Sequence, residues 1–202
     1  EYDTENFTKA GSCSVCGEFA EEDMTCVDAM TFTLNNTGTA YTVTDFLCNY
    51  PGYVEIPDEY NGLPVTAIGT DAFRDCAEIT SVVIPDSVTS IGGSAFRNCT
   101  KLTEIIFSSN ITTIPGAMCF GCTNLETVMI FGNVKSVGGY AFSGCSALKC
   151  VFYENDEAEW NKITFGASNT ALTNAPVHFE SIGEHTYADE WTIDSLPTCD
   201  EN

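Results

Sequence analysis

Four apolar columns recur through the middle of the chain with a single spacing. Ile79, Leu102, Leu125 and Leu148 lie 23 residues apart, as do Val82, Ile105, Val128 and Val151. Ile68, Ile91, Ile114 and Val137 keep the same interval, and so do Cys76, Cys99, Cys122 and Cys145. Each unit opens with an L-x-x-(I/V)-x-(aliphatic or aromatic) run whose alternation predicts a short strand with one buried face. In the first unit Pro85 ends that strand, because it has no N–H for a ladder. Val88 and Ile91 turn inward again, Gly92-Gly93 (and later Gly138-Gly139) read as a turn, and Ala95-Phe96 precede closure at Cys99. One such coil cannot bury its own apolar edge, whereas coils stacked about 4.8 Å apart share a continuous ribbon of core.

The alternation sorts the strand positions into two sets. Val82/Ile84, Ile105/Phe107, Val128/Ile130 and Val151/Tyr153 are predicted to point inward. Between them, one outward column reads Glu55, Val83, Ile106, Met129 and Phe152, and a second reads Tyr53, Ser81, Glu104, Thr127 and Cys150. Four adjacent apolar side chains facing solvent would form a patch of the kind that marks a contact, although β-branched and aromatic residues also favour strands for packing reasons alone. The candidate binding residues on this face are Tyr53, Glu55, Val83, Glu104, Ile106, Thr127, Met129 and Phe152. Replacing Ile106 and Met129 by lysine is expected to leave folding intact.

The run IPDSVTSIGGSAFRNCTKL resembles the BspA-type leucine-rich repeat of large surface proteins from anaerobic bacteria and some protozoan parasites. The resemblance spans about residues 31–180. It implies a mostly β solenoid, a right-handed superhelix of 23-residue coils. FTLNNTGTAYTVTDF resembles the family's N-terminal β-hairpin cap, and VEIPDEYNGLPVTAIG a first coil with an enlarged loop. YENDEAEWNKITFGASNTALTNAPVHF resembles the usual C-terminal helix and strand cap, its helix carrying Trp160. One unit departs from the pattern: in GAMCFGC, Met118 and Cys119 stand where Ala and Phe sit elsewhere, and local repacking is expected. Residues 1–30 read as a linker and the tail of a preceding Cys-containing module, and 181–202 as the start of a following small module or linker. The chain is therefore expected to be a fragment of a longer protein.

Charge narrows the partners. The chain has 29 acidic and 7 basic residues, a net of −22. Such a field repels phosphate backbones and anionic lipid, which disfavours nucleic acid and membrane surfaces. The acids concentrate at the two ends, while residues 64–153 hold 6 acids and 5 bases. No apolar run is long enough to cross a bilayer, so membrane insertion of this segment is not expected.

Chemistry-bearing residues are few. The four ladder cysteines read as small buried fillers rather than disulfides, and Cys119-x-x-Cys122 as a coincidence of columns. Cys13-x-x-Cys16 is the weak metal candidate, with Cys26 and Cys48 as conceivable further zinc ligands; its spacing equally suits a disulfide or two free thiols. His185 and Cys199 could belong to a second half of such a site. Glu154, Asp156, Glu157 and Glu159 read as a solvated helix start, favoured there by the dipole, rather than a Ca²⁺ loop. His178 reads as a partly exposed cap residue. No catalytic residues, cofactor or complete metal site are expected. The expectation is a monomeric, non-catalytic binding or adhesion module at the cell surface or outside the cell, recognising a protein or glycan of host matrix or other cells. A structural spacer and an accessory module of a larger secreted enzyme are the alternatives.

Overall fold

The computed structural model describes residues 25–179. Met30–Leu34 (β1) and Tyr41–Phe46 (β2) form an antiparallel hairpin. The chain continues through Gly52–Glu55 (β3), Glu59–Tyr60 (β4) and Leu63–Ile68 (β5). Long and short strands then alternate: Ile79–Val83 (β6), Ser90–Ile91 (β7), Glu104–Ile106 (β8), Thr113–Ile114 (β9), Thr127–Ile130 (β10), Ser136–Val137 (β11) and Cys150–Tyr153 (β12). The exit comprises Glu157–Trp160 (α1), Thr164–Phe165 (β13), Thr170–Asn174 (α2) and Val177–Phe179 (β14). The chain is a β solenoid with little helix.

From β6 to β12 each coil is held to the next by parallel pairing at the 23-residue interval, and the first and last coils pair in parallel at longer separations. The principal sheet runs β14-β12-β10-β8-β6-β3, and the opposite side of the coil carries β13-β11-β9. Registers match the predicted columns: Val82 pairs with Ile105, Ile105 with Val128 and Val128 with Val151. The inward residues all join one core, in which Ile105, Val128, Val151 and Phe142 are essentially inaccessible.

Two columns of left-handed backbone turn the coil. Asp71, Ser94, Ala117 and Tyr140 have φ between 54° and 61°, and Asp75, Asn98, Gly121 and Gly144 have φ from 60° to 84°. Asp, Asn and Gly at the second column are the residue types that tolerate this conformation. The glycine pairs do something else. Gly92 and Gly138 do not have positive φ, so the turn expected there belongs to the residues after each pair. A Cβ on Gly92 would run into the backbone of Gly69 and Thr70 in the preceding coil, and one on Gly138 into Gly116. These glycines let coils approach; they do not bend them.

The buried cysteines supply small donors. The thiols of Cys99, Cys122 and Cys145 donate to the carbonyls of Phe73, Phe96 and Cys119 at 3.0–3.1 Å, each 26 residues earlier. Cys76 departs from the filler reading, for it forms a disulfide with Cys48. It belongs to the first coil of the cysteine ladder, where its neighbour is the segment after the hairpin rather than a stacked identical position. Closing the 28-residue separation restricts the unfolded chain by about 3–4 kcal/mol. It also withdraws Cys48 from any metal site.

The departure at Met118-Cys119 leaves the backbone in register: Phe96 N–H donates to Met118 O at 2.9 Å and Cys119 N–H to Ala141 O at 2.7 Å. Phe73 and Phe96 stack at 4.8 Å between centroids. Cys119 interrupts that aromatic column, and Met118, in the alanine column, is fully buried beside it. The larger Met offsets the smaller Cys. Phe120 follows at the position of Arg74 and Arg97, and the Arg97 guanidinium lies 4.7 Å over its ring.

Both ends are closed by other means. Phe32, Tyr41 and Tyr60 form an aromatic cluster, with Phe32 and Tyr60 stacked at 4.0 Å. Ala29 and Met30, at the start of the hairpin, are buried in the core. At the exit, Asp156 caps α1 by accepting from Glu159 N–H at 2.9 Å, as the acidic helix start predicts, and Trp160 packs on Tyr153. Asn169 then replaces a missing coil. Its side-chain oxygen accepts from Phe142 N–H at 3.1 Å, where earlier coils use a carbonyl, and its amide donates to Gly138 O and Gly166 O at 2.9 Å.

Two predictions follow from this packing. Gly92→Ala lowers stability by at least about 2 kcal/mol, whereas Gly93→Ala, whose Cβ would meet only Gly116 O at 3.4 Å, is nearly neutral in a urea melt. In a double-mutant cycle, Met118→Ala opens a cavity costing about 2–5 kcal/mol and Cys119→Phe overpacks by about 1–3 kcal/mol. The double variant recovers most of both losses, and additive losses would contradict the paired-volume account.

Candidate binding face

The outward side of the principal sheet is assembled as the alternation predicts. Glu55, Val83, Ile106, Met129, Phe152 and His178 occupy successive paired positions across six strands. Tyr53, Ser81, Glu104, Thr127 and Cys150 form the neighbouring column. All eight candidate residues therefore share one face. Parallel strands put equivalent residues side by side, so a column in sequence becomes a row in space.

The expected exposure is found at one end of that face. Tyr53 is 38% exposed and Glu55 is exposed, with the Tyr53 hydroxyl donating to Glu55 Oε2 at 3.1 Å. Burial, followed by the Glu55 charge, raises the Tyr53 pKa, so the phenol keeps its proton at physiological pH. Glu104 and Thr127 are half-buried. Ile106, Met129 and Phe152 differ from expectation: they are 3%, 0% and 2% exposed. They form a second apolar cluster with Phe131 and Cys150, against which Val83 packs, separate from the solenoid core. These side chains point outward without reaching solvent, so lysine at Ile106 or Met129 would bury a charge and is not neutral to folding.

Glu104 is the electrostatic anomaly of the face. Its Oε2 is buried without a hydrogen-bond partner, and burial first, then the Glu126 carboxylate, raises its pKa. Lys101 and Lys149 are engaged with other carboxylates, Lys101 with Glu78 at 2.6 Å and Lys149 with Glu126 at 2.7 Å.

The remaining candidates are accounted for individually. His178 is half-buried and stacks on Phe152 at 5.0 Å. Hydrogen bonding to Cys122, then burial, raises the Cys99 and Cys119 thiols, and burial chiefly raises Cys145. These thiols stay protonated in the core. Cys26 donates to Glu55 O at 3.4 Å. Cys13, Cys16, His185 and Cys199 lie outside the described residues. Among the described residues, one surface depression is lined by residues that include Ser146, Thr170 and Asn174, and another by Lys135, Tyr153, Glu159 and Lys162. Neither lining brings a histidine to a nucleophile, and Glu159 and Lys162 form an exposed ion pair.

A ladder of equivalent strands joined by tight coil corners defines a leucine-rich-repeat solenoid. The chain belongs to the BspA type leucine rich repeat family, whose pattern matches residues 66–194 in 6 copies. It is similar to a leucine rich cell surface protein of Faecalibacterium prausnitzii, with 31% identity and a TM-score of 0.52 over 71% of this chain and 42% of that one. A leucine-rich repeat protein from Bacteroides capillosus is 29% identical, with a TM-score of 0.53 over 66% of this chain and 98% of the other. The pneumococcal vaccine antigen PcpA shares the fold at 19% identity, with a TM-score of 0.55 over 69% of this chain and 33% of its own. No curated protein matches the sequence. These relatives are repeat proteins rather than enzymes, and this chain is a repeat domain of a binding or structural kind. Among the described residues no helix is long and apolar enough to cross a membrane.

The Glu104 environment sets a pH prediction. Its folded pKa is raised, so ionisation opposes folding at neutral pH, and that penalty disappears below the unfolded value of about 4.3. Glu104→Gln therefore raises the melting temperature at pH 7, and the gain shrinks to nothing as pH falls through about 4, as a pair of pH-resolved thermal melts would register.

Proposed function

We propose that this chain is a non-catalytic binding module of a cell-surface or secreted protein, engaging an extracellular protein or glycan through the Tyr53–Glu55 end of the principal sheet. The observation that carries the reading is the contrast along that face: a phenol and carboxylate stand exposed beside half-buried Val83 and Glu104, while the far end is closed. Aromatic rings with a polar tip suit partners that are apolar in part and wet at the edge. The negative field, −22 over the chain, favours neutral or cationic partners and disfavours nucleic acid. The surface-protein relative supports an extracellular or cell-surface location, and adhesion to host matrix or to other cells is the role that fits it. The domain is proposed to act as a monomer without cofactor.

The burial of Ile106, Met129 and Phe152 favours a second reading, a spacer that holds neighbouring domains apart, since it removes most of the apolar face from solvent. A panel of matrix proteins and a glycan array, probed with the immobilised chain, separates the two. On the binding reading, Tyr53→Ala/Glu55→Ala weakens the captured interaction at least about tenfold, or about 1.4 kcal/mol, with an unchanged melting temperature. Full retention of binding by that variant would refute the assignment of this face, and an inert chain would favour the spacer.

A further inference from the structure

Tyr140 breaks a local rule that the rest of its column obeys. Asp71, Ser94, Ala117, Tyr140 and Ser168 turn successive coils with φ between 54° and 62°, a conformation in which a bulky side chain crowds its own backbone. The other four occupants are small, or short and polar. Tyr140 is 52% exposed, and among the described residues its hydroxyl makes no hydrogen bond and its ring packs on no other ring. Neither packing nor bonding offsets the unfavourable backbone. An uncompensated outlier of this kind is the mark of a side chain kept for contact with something outside the chain.

A depression opens immediately after that turn. It is lined by Gly144, Ser146 and Leu148, which follow Tyr140–Ser143 in the chain, and by Thr170, Ala171 and Asn174 of α2. Its origin is local. Asn169 stands in for a backbone carbonyl, and the residues after it coil into α2 instead of repeating the earlier corner. The volume of about 470 Å³ falls within the roughly 300–1,000 Å³ of small-molecule sites.

The lining selects a chemistry. It holds no carboxylate, amine or guanidinium, in a chain with 29 acidic and 7 basic residues. The Thr170 hydroxyl and the Asn174 amide are exposed and make no hydrogen bond among the described residues. The Ser146 hydroxyl donates to Thr123 O at 3.4 Å and keeps its lone pairs. Leu148 and Ala171 are half-buried apolar groups. Hydroxyls and an amide near a tyrosine ring match a sugar, which has a rim of hydroxyls and faces of C–H groups. A charged ligand would lose water there without gaining a counter-charge, and an anionic one would also meet the negative field of the chain. An apolar peptide side chain would find no enclosed pocket.

We propose that this depression, with Tyr140 at its margin, is a second binding site that takes an uncharged oligosaccharide. The Tyr140 ring stacks on a sugar face, while Ser146, Thr170 and Asn174 bond the hydroxyls. The site belongs to the coil that enters β12, four strand spacings or about 19 Å from β3, so it is independent of the Tyr53–Glu55 face.

Saturation-transfer NMR of the full chain with neutral gluco-, manno-, galacto- and N-acetylglucosamine oligosaccharides at millimolar concentration tests the site. At least one should bind, and an oligogalacturonate should bind at least about tenfold more weakly. Tyr140→Asn and Asn174→Ala should each weaken binding at least about tenfold, whereas Tyr53→Ala/Glu55→Ala leaves it unchanged. Tyr140→Asn should also raise the melting temperature, since asparagine tolerates the left-handed backbone. Absence of binding by every neutral oligosaccharide, equal binding of the uronate, or full affinity in the Tyr140→Asn variant overturns the proposal. A lowered melting temperature in that variant would give the ring a structural role and overturn it too. Loss of sugar binding in Tyr53→Ala/Glu55→Ala alone would place the sugar on the other face.

Discussion

The structure depends on lateral hydrogen bonding between coils that cannot exist alone. At each corner an N–H donates to a carbonyl of the next coil: Ser94 to Gly116, Phe96 to Met118 and Asn98 to Phe120, and then Ala117 to Gly139 and Cys119 to Ala141. The strand side repeats this with parallel pairing. A coil taken singly would expose both its apolar edge and half of its backbone groups, each costly to leave unpaired. Repetition solves both problems at once. It also explains why small residues sit where coils approach, as at Gly92 and Gly138, and why a thiol rather than a bulkier donor reaches the carbonyls 26 residues back.

The same dependence makes the ends the difficult part of the fold. At the start, a hairpin and three aromatic rings cover what would otherwise be a bare edge, and a disulfide ties the segment after the hairpin to the first coil. At the finish, Trp160 covers the core and the Asn169 amide satisfies three backbone groups. Side chains do at the ends what backbone does in the middle.

What could be read from the chain alone divides along this line. Columns such as Val82–Ile105–Val128–Val151 are periodic, so their register and inward direction were legible, as was the assembly of Tyr53, Glu55, Val83, Glu104, Ile106, Thr127, Met129 and Phe152 on one face. The substitution at Met118-Cys119 was legible too, because a break in a column marks its own position. Exposure was not. Alternation states which side of a sheet a residue occupies, and nothing about what lies above that side, so Met129 was expected in water. Gly92 was ambiguous for a related reason: glycine serves both positive φ and close approach, and only the neighbouring coil distinguishes them. Cys76 shared a column with three free thiols, and what set it apart was a partner outside the repeat. The one clue to it was the position of Cys48 just after the hairpin.

Asn169 carries a consequence for how a coil can change shape. Because a side-chain amide supplies here what a backbone carbonyl supplies in the earlier coils, the turn after Cys145 is free to take another path, and Thr170–Asn174 is helical where the earlier coils are not. The sheet is carried on past that irregular turn by Val177–Phe179, which pairs with Cys150–Tyr153. One amide thus lets a coil change shape without interrupting the ladder.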